Sequence, residues 1–244
     1  MTAVDFLRLD LPALLAAILA CGLCGLLGSF LVLRRDSLLG DALSHAVLPG
    51  IIVGFAITGA RAGLPMLLGA LAAALAAVFL INLVRRVARL ESGAATGAVF
   101  TSFFALGLML IEATGARSVD LDLDCVLFGQ LESLVWLEAQ GFGSLLDPVA
   151  LAALPRQLFL LAAVAVVLAG LVALLWRPLH LLCFDPDYAA AIGLPARRLE
   201  LALNLMVAAA AVAAFEAVGS ILVVAMLVCP AAAIRLLTDS YRAQ

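Results

Sequence analysis

Seven long apolar stretches constrain this fold more than any other feature of the chain. A helix needs about 20 mostly apolar residues to cross a bilayer. Because backbone polar groups must be satisfied internally in lipid, we predict an all-α fold, a polytopic membrane helix bundle of about seven spans, with residues 1–244 forming a single transmembrane domain. The predicted spans are residues 11–33, 38–58, 64–84, 93–112, 157–176, 199–216 and 218–236.

Composition and arginine placement support this assignment. Hydrophobic residues make up 66% and charged residues 13% of the chain, whereas soluble domains are about 45–50% apolar and about 25% charged. All 14 basic residues are arginine. With the N-terminus outside, most of the arginines fall at inner ends and loops, as expected for cytoplasmic segments. We therefore predict an outer N-terminus.

Small residues within the spans predict close helix packing. Gly22, Gly25 and Gly28 recur at three-residue spacing, and Gly50 and Gly54 form a GxxxG pattern. Such positions let helix backbones approach closely where no hydrophobic effect drives helix association. We expect tight helix contacts at both places.

Two ionisable side chains lie within the second apolar stretch, Asp41 and His45. Four residues are about one helical turn, so both side chains project from one face. Ionisable groups in a bilayer are costly unless they face a cavity, the bundle interior or a partner, and carboxylates and imidazoles bind divalent metals. We predict that Asp41 and His45 are transient metal ligands on a transport pathway. The alternative is an Asp–His hydrogen bond that staples two helices.

Pro49 follows His45 by four residues and adds to this prediction. Proline has no N–H, so the helical hydrogen bond to the His45 carbonyl cannot form and that turn opens. Irregular backbone at membrane depth is tolerated where it lines a cavity. The His45 carbonyl and the Ser44 hydroxyl are therefore further candidate ligands.

Within the predicted inner loop, residues 177–198, helix-capping signals stand at both ends of a short helix. Asp185 is a typical N-cap, Pro186 a typical first helical residue, and Gly193 a typical C′ residue. A helix this short does not persist alone in water, so we predict a rigid docking knob for a soluble motor subunit. An ordinary loop helix is the alternative. The predicted docking residues are Asp185, Pro186, Asp187, Tyr188, Ala189 and Gly193.

The predicted outer loop, residues 113–156, is rich in acidic residues. Asp120, Asp122 and Asp124 alternate along it, and Glu216 stands at the outer end of a later span. An acidic outer surface would attract cations or meet the basic rim of a partner. For the loop a solvated segment is the alternative, and for Glu216 a position in the wet interface.

Missing motifs exclude other classes of function. The sequence has no GxxxxGK[ST], so any ATP chemistry belongs to another chain, and no HExxH. With only His45 in a span, a three-histidine catalytic zinc site cannot be built, which argues against a metalloenzyme. An ion-gradient-coupled secondary transporter with Asp41 and His45 as a proton relay remains the alternative. It would leave the capped inner loop without a role, and no inverted repeat is apparent.

These segments resemble the permease subunits of ATP-binding cassette (ABC) importers for manganese, zinc and iron. The resemblance covers nearly the whole chain. Family members usually continue beyond the last of these segments with a further apolar stretch, so we expect this chain to be short at its C-terminus relative to them. The matching segments are residues 34–35, 40–46, 91–93, 122–124, 127–129, 184–186, 189–193, 218–224 and 230–237.

The resemblance implies a multi-pass permease of the bacterial plasma (inner) membrane, not an enzyme itself, that imports Mn²⁺, Zn²⁺ or Fe²⁺. The implied partners are a cytoplasmic ABC ATPase subunit that binds ATP, a second permease copy or paralogue, an extracytoplasmic metal-binding protein and the lipid bilayer. We expect no nucleic acid partner and no cofactor in this chain. Asp41 and His45 match pathway ligands, and two facing copies would offer two oxygens and two nitrogens. The 186–192 segment matches the coupling helix.

Overall fold

A computed structural model describes residues 3–34, 36, 38–58, 63–114, 129, 131, 134–138, 141–145 and 147–237. The described residues form helices and contain no strand, as predicted. A π-helical turn, Phe6–Asp10, joins α1 to α2, and a 3₁₀ turn spans Phe142–Leu145. The helices are α1 Ala3–Asp5, α2 Leu11–Leu33, α3 Leu38–Ala46, α4 Leu48–Thr58, α5 Gly63–Ala88, α6 Ser92–Thr114, α7 Pro148–Ala152, α8 Arg156–Leu174, α9 Trp176–Phe184, α10 Pro186–Ala191, α11 Ala196–Val218 and α12 Ser220–Leu237.

Seven helical segments in the described part of the chain are long and apolar enough to cross a membrane, and they coincide with the seven predicted stretches. The second of them comprises α3 and α4 and is the most buried. The fifth span differs from the prediction at its end, because Leu175 leaves the helical conformation and α8 stops at Leu174. The inner segment then continues as the separate helix α9.

Glycines bring α4 and α5 into backbone contact. A Cβ atom at Gly50 would overlap the backbone of Gly69, and one at Gly69 would overlap the Gly50 carbonyl. At Gly54 a Cβ would lie 2.7 Å from the carbonyl oxygen of Pro65. The predicted close packing at the GxxxG pattern is confirmed. It fixes the second half of the second span against the third.

Glycine also brings α2 against α12, where a Cβ at Gly28 would overlap the Leu227 carbonyl. Gly25 has ordinary room, with Pro230 at 3.9 Å, and an added Cβ at Gly22 would have no atom of the described residues within 4 Å. The prediction of tight packing is therefore correct at Gly28 and wrong at Gly22. Both Leu27 and Leu227 are completely buried in the main core, which draws on α2, α3, α5, α8, α11 and α12.

Part of the predicted outer loop is anchored to the first span by Trp136. The Trp136 side chain is fully buried with Leu7 and Ala150, and its indole N–H donates to the Ala150 carbonyl at 2.8 Å. The backbone N–H of Trp136 donates to the Arg8 carbonyl at 2.8 Å. This part of the loop is packed rather than solvated.

Candidate functional site

The helix carrying Asp41 and His45 is interrupted directly after them. α3 ends at Ala46, Val47 forms a turn, and α4 begins at Leu48. The hydrogen-bond pattern resumes beyond the break, where the Ile51 N–H donates to the Val47 carbonyl at 3.1 Å. The opening expected from Pro49 is confirmed. The pair thus lies on the last turns of a helix that stops within a span.

Asp41 and His45 face the same side of α3. His45 Nε2 and Asp41 Oδ1 are 3.5 Å apart. The His45 side chain is 20% exposed and the Asp41 side chain is 40% exposed. The distance exceeds the range of a good N–H···O hydrogen bond, about 2.7–3.2 Å. Both residues belong to one helix, so their mutual contact cannot staple two helices. The geometry leaves both groups available to a ligand.

Ser44 does not join this pair. Its side chain is buried, and its hydroxyl donates to the Gly40 carbonyl one turn back at 3.0 Å. Among the described residues no group of three or more His, Cys, Asp or Glu side chains converges on one point. The site offers two side-chain ligands, fewer than the four of a closed structural zinc site. A bound ion would complete its coordination with water or with groups from another chain.

Two aromatic rings of α6 contact the His45 imidazole, which the sequence reasoning did not anticipate. The ring centroids of Phe100 and Phe104 lie 5.3 and 5.6 Å from that of His45, tilted by 50° and 78°. The two phenyl rings are themselves 6.2 Å apart. Their spacing of four residues was the available signal, because it puts both rings on one face of a helix. Which helix that face would meet is a tertiary property.

A charge network that the sequence reasoning also missed joins three helices at the predicted inner side. Glu200 of α11 accepts from Arg34 Nη2 at 2.8 Å and from Arg85 Nη1 of α5 at 2.9 Å. The Arg34 Nη1 atom is buried and has no hydrogen-bond partner among the described residues. No local signal could reveal this network, since its partners are far apart in sequence. It ties the segment that leads into α3 to the start of α11.

Cys183, near Arg34, is not a ready metal ligand. Burial raises the pKa of the Cys183 thiol to about 11, although the Arg34 guanidinium acts in the opposite direction. The thiolate is the form that binds metals, and it is scarce at neutral pH with such a pKa. The thiol is an apolar packing group here.

The predicted caps of the inner segment are confirmed in α10. Asp185 Oδ1 accepts the backbone N–H of Tyr188 at 2.9 Å, which is an N-cap bond. At the other end Gly193 has a φ of +81°, and the Leu194 N–H donates to the Ala189 carbonyl at 3.0 Å. This bond and this φ define a Schellman motif. Pro186 opens the helix as predicted, and Asp187 lies in its first turn.

The side chains of the predicted outer acidic residues all lie outside the described part of the structure. Asp120, Asp122 and Asp124 lie outside the described residues. Glu216 lies in α11, two residues before its end at Val218, and its side chain is also outside the description. Their role in attracting cations stays a prediction.

Comparisons with known proteins agree with the fold and with the resemblance. The manganese transport system membrane protein MntD of Bacillus subtilis is 39% identical over 216 residues, covering 88% of this chain and 70% of MntD. The zinc transport system membrane protein TroC of Treponema pallidum is 34% identical over 220 residues, covering 89% of this chain and 67% of TroC.

A solved structure shares the architecture. PsaBC from Streptococcus pneumoniae in complex with Fab matches with a TM-score of 0.72 and 30% identity, covering 95% of this chain and 74% of that one. The ABC 3 transport family model matches residues 7–140 and 142–243. Together with the seven apolar helices, these matches establish that this multi-pass bacterial plasma-membrane protein belongs to the ABC 3 transport family.

Proposed function

We propose that this chain is the permease subunit of an ABC importer that moves a divalent transition metal ion, Mn²⁺, Zn²⁺ or Fe²⁺, into the cell. The observation that carries the proposal is the Asp41/His45 pair on an interrupted helix within the most buried span. The relatives include manganese and zinc transport system membrane proteins, which supports this choice of ions. A separate ATPase subunit supplies ATP hydrolysis, because this sequence has no phosphate-cradling GxxxxGK[ST].

Asp41 and His45 act as transient ligands of the ion in this proposal. Two side chains hold an ion less firmly than a closed four-ligand site, which suits a step that must also release it. A second permease copy or paralogue, facing the exposed side of Asp41, supplies the other ligands. One carboxylate and one imidazole from each copy suit Mn²⁺, Fe²⁺ and Zn²⁺. An extracytoplasmic metal-binding protein delivers the ion, and the outer acids Asp120, Asp122, Asp124 and Glu216 attract cations by their charge.

The test is metal uptake by proteoliposomes that contain the permease with its ATPase subunit, with the metal-binding protein added outside. We expect uptake of at least one of Mn²⁺, Zn²⁺ and Fe²⁺ that requires ATP and stops when the ATPase is inactivated. The permease reconstituted alone, under a proton or sodium gradient, is the control and should not transport. Gradient-driven uptake without the ATPase would overturn the proposal in favour of a secondary transporter.

The same proposal gives α10 the role of the docking helix for the ATPase. Its caps make a six-residue helix rigid, and Ala189, within this helix, is fully buried and holds it against its neighbours. Tyr188 in α10 and Ile192 just after it are 54% and 52% exposed, and Phe184, the last residue of α9, is 52% exposed. These three apolar side chains are called the ridge. An exposed apolar ridge on a rigid support is typical of a protein–protein contact. Asp185 and Gly193 cap the helix that carries Tyr188, and Pro186 and Asp187 lie in its first turn.

Replacing Asp185 with alanine should weaken coupling without removing the site. Loss of an N-cap costs about 1 kcal/mol, which is large for a six-residue helix, so the ridge loosens and transport per ATP hydrolysed falls. Asp185→Asn is the matched control, because its amide oxygen can still accept the Tyr188 N–H. The measurement is metal uptake divided by ATP hydrolysis. Equal ratios for Asp185→Ala, Asp185→Asn and the wild type would contradict the docking role.

A further inference from the structure

The position of the His45 imidazole is set by α6 more than by Asp41. At 3.5 Å, the contact between His45 Nε2 and Asp41 Oδ1 is too long to fix the ring. Phe100 and Phe104, by contrast, contact the imidazole from two directions, with ring planes inclined at 50° and 78° to it. Rotation of the imidazole toward α6 would bring it against one of these rings.

Phe104 is itself held in place, and the Phe100 ring lies next to it, with ring centroids 6.2 Å apart. Phe104 packs against the buried cluster of Leu48, Ile52 and Ile111. Gly107, one turn further along α6, lies so close to Leu48 that an added Cβ would be 2.8 Å from its Cδ2 atom. Leu48 is the first residue of α4, directly after the break that follows His45. α6 therefore packs closely against the junction between α3 and α4. This packing keeps Phe100 and Phe104 next to His45.

We propose that Phe100 and Phe104 are positioning residues that determine the metal specificity of the Asp41/His45 site. This inference rests on the proposed function. The rings hold the imidazole nitrogen beside the Asp41 carboxylate, so that an entering ion meets nitrogen and oxygen together. They also cover that side of the imidazole with apolar surface, which offers no hydrogen bonds to water.

Both effects disfavour Mg²⁺ and Ca²⁺. Those ions prefer oxygen ligands, and Mg²⁺ loses its water reluctantly and usually keeps several water molecules when bound. Imidazole suits zinc and iron better. If the imidazole could swing away and water could enter, the site would become a carboxylate in water, which accepts Mg²⁺ and Ca²⁺ readily. The aromatic face thus turns a weak two-ligand site into a selective one.

The experiment measures ATP-driven Mn²⁺ or Zn²⁺ uptake by proteoliposomes containing the complete complex, in the presence of increasing Mg²⁺ or Ca²⁺. For Phe104→Leu and Phe100→Leu we expect the competitor concentration that halves uptake to fall about 10-fold, the lower end of the effects of groups that orient metal ligands. Phe104→Tyr keeps the ring and should retain wild-type selectivity. Phe103→Leu is the matched control, because Phe103 neighbours Phe104 in α6 but packs against the main core.

The outcomes separate this inference from the proposed function. Wild-type selectivity in both Phe100→Leu and Phe104→Leu, with uptake still lost in Asp41→Ala and His45→Ala, would overturn the positioning role alone. An equal change in Phe103→Leu would also overturn it, since the effect would then be one of general packing. Normal uptake by the Asp41 and His45 variants would instead remove the site on which the inference rests. Phe100→Leu keeps the test decisive if Phe104→Leu fails to fold, because Phe104 alone of the two belongs to the Leu48 cluster.

Discussion

Metal uptake should be abolished in Asp41→Ala and in His45→Ala, while the assembled complex still hydrolyses ATP. Each substitution removes one of the two proposed side-chain ligands, which lie side by side on α3. Loss of groups that only orient metal ligands already costs about 10–100-fold, so loss of a ligand itself should reduce uptake by roughly 100-fold or more. In the proposed complex, ATP hydrolysis takes place on another subunit and does not need these groups.

The measurement is the initial rate of uptake in proteoliposomes at equal amounts of assembled complex, together with the rate of ATP hydrolysis. Ser44→Ala is a matched control in the same helix, because its buried hydroxyl donates to the Gly40 carbonyl and not to the pair. It should transport nearly as well as the wild type. The double variant should be no worse than either single one, as expected for residues that act as a unit. Normal uptake by both single variants would exclude the pair from the pathway.

The parts of the site that the sequence predicted are those that depend on local spacing. Asp41 and His45 face one way because they are four residues apart, and Pro49 opens the next turn because it has no N–H. The caps at Asp185 and Gly193 are likewise properties of a few consecutive residues. In each case the interaction is complete within about two turns of chain, so reading the segment is enough.

The parts that the sequence did not predict depend on which helices meet. Glu200 accepts from Arg34 and Arg85, and His45 lies against Phe100, across separations that periodicity does not encode. The glycine repeat on α2 shows the same limit, because its three-residue spacing predicts equally close helix packing at Gly22 and Gly28. Gly28 faces α12, whereas in the described part of the chain no atom lies within 4 Å of a Cβ added at Gly22. Helix faces can be predicted from a sequence, but their partners require the packed structure.

Gly28→Ala should destabilise the bundle, whereas Gly22→Ala should not. This second large effect is expected because the two glycines of α2 have different surroundings. The new methyl group at residue 28 would overlap the Leu227 carbonyl, and because that group is backbone, α2 and α12 must move apart. Overpacking of this kind costs about 1–3 kcal/mol. At Gly22 there is open space, and the exchange should be neutral or stabilising by up to about 1 kcal/mol, since alanine favours the helix.

Thermal unfolding of the two variants in the same detergent measures this difference directly, because the residues share a helix and the substitution is identical. The expected result is a lower melting temperature for Gly28→Ala only. Uptake should fall as well, since Leu227 is also enclosed by Gly40 of α3, where an added Cβ would lie 2.9 Å from its Cδ1 atom. A shift of α12 therefore disturbs the turn just before Asp41. Equal melting temperatures would mean that the bundle accommodates a methyl group at this contact, and that the close approach of α2 and α12 is not what holds α3 in position.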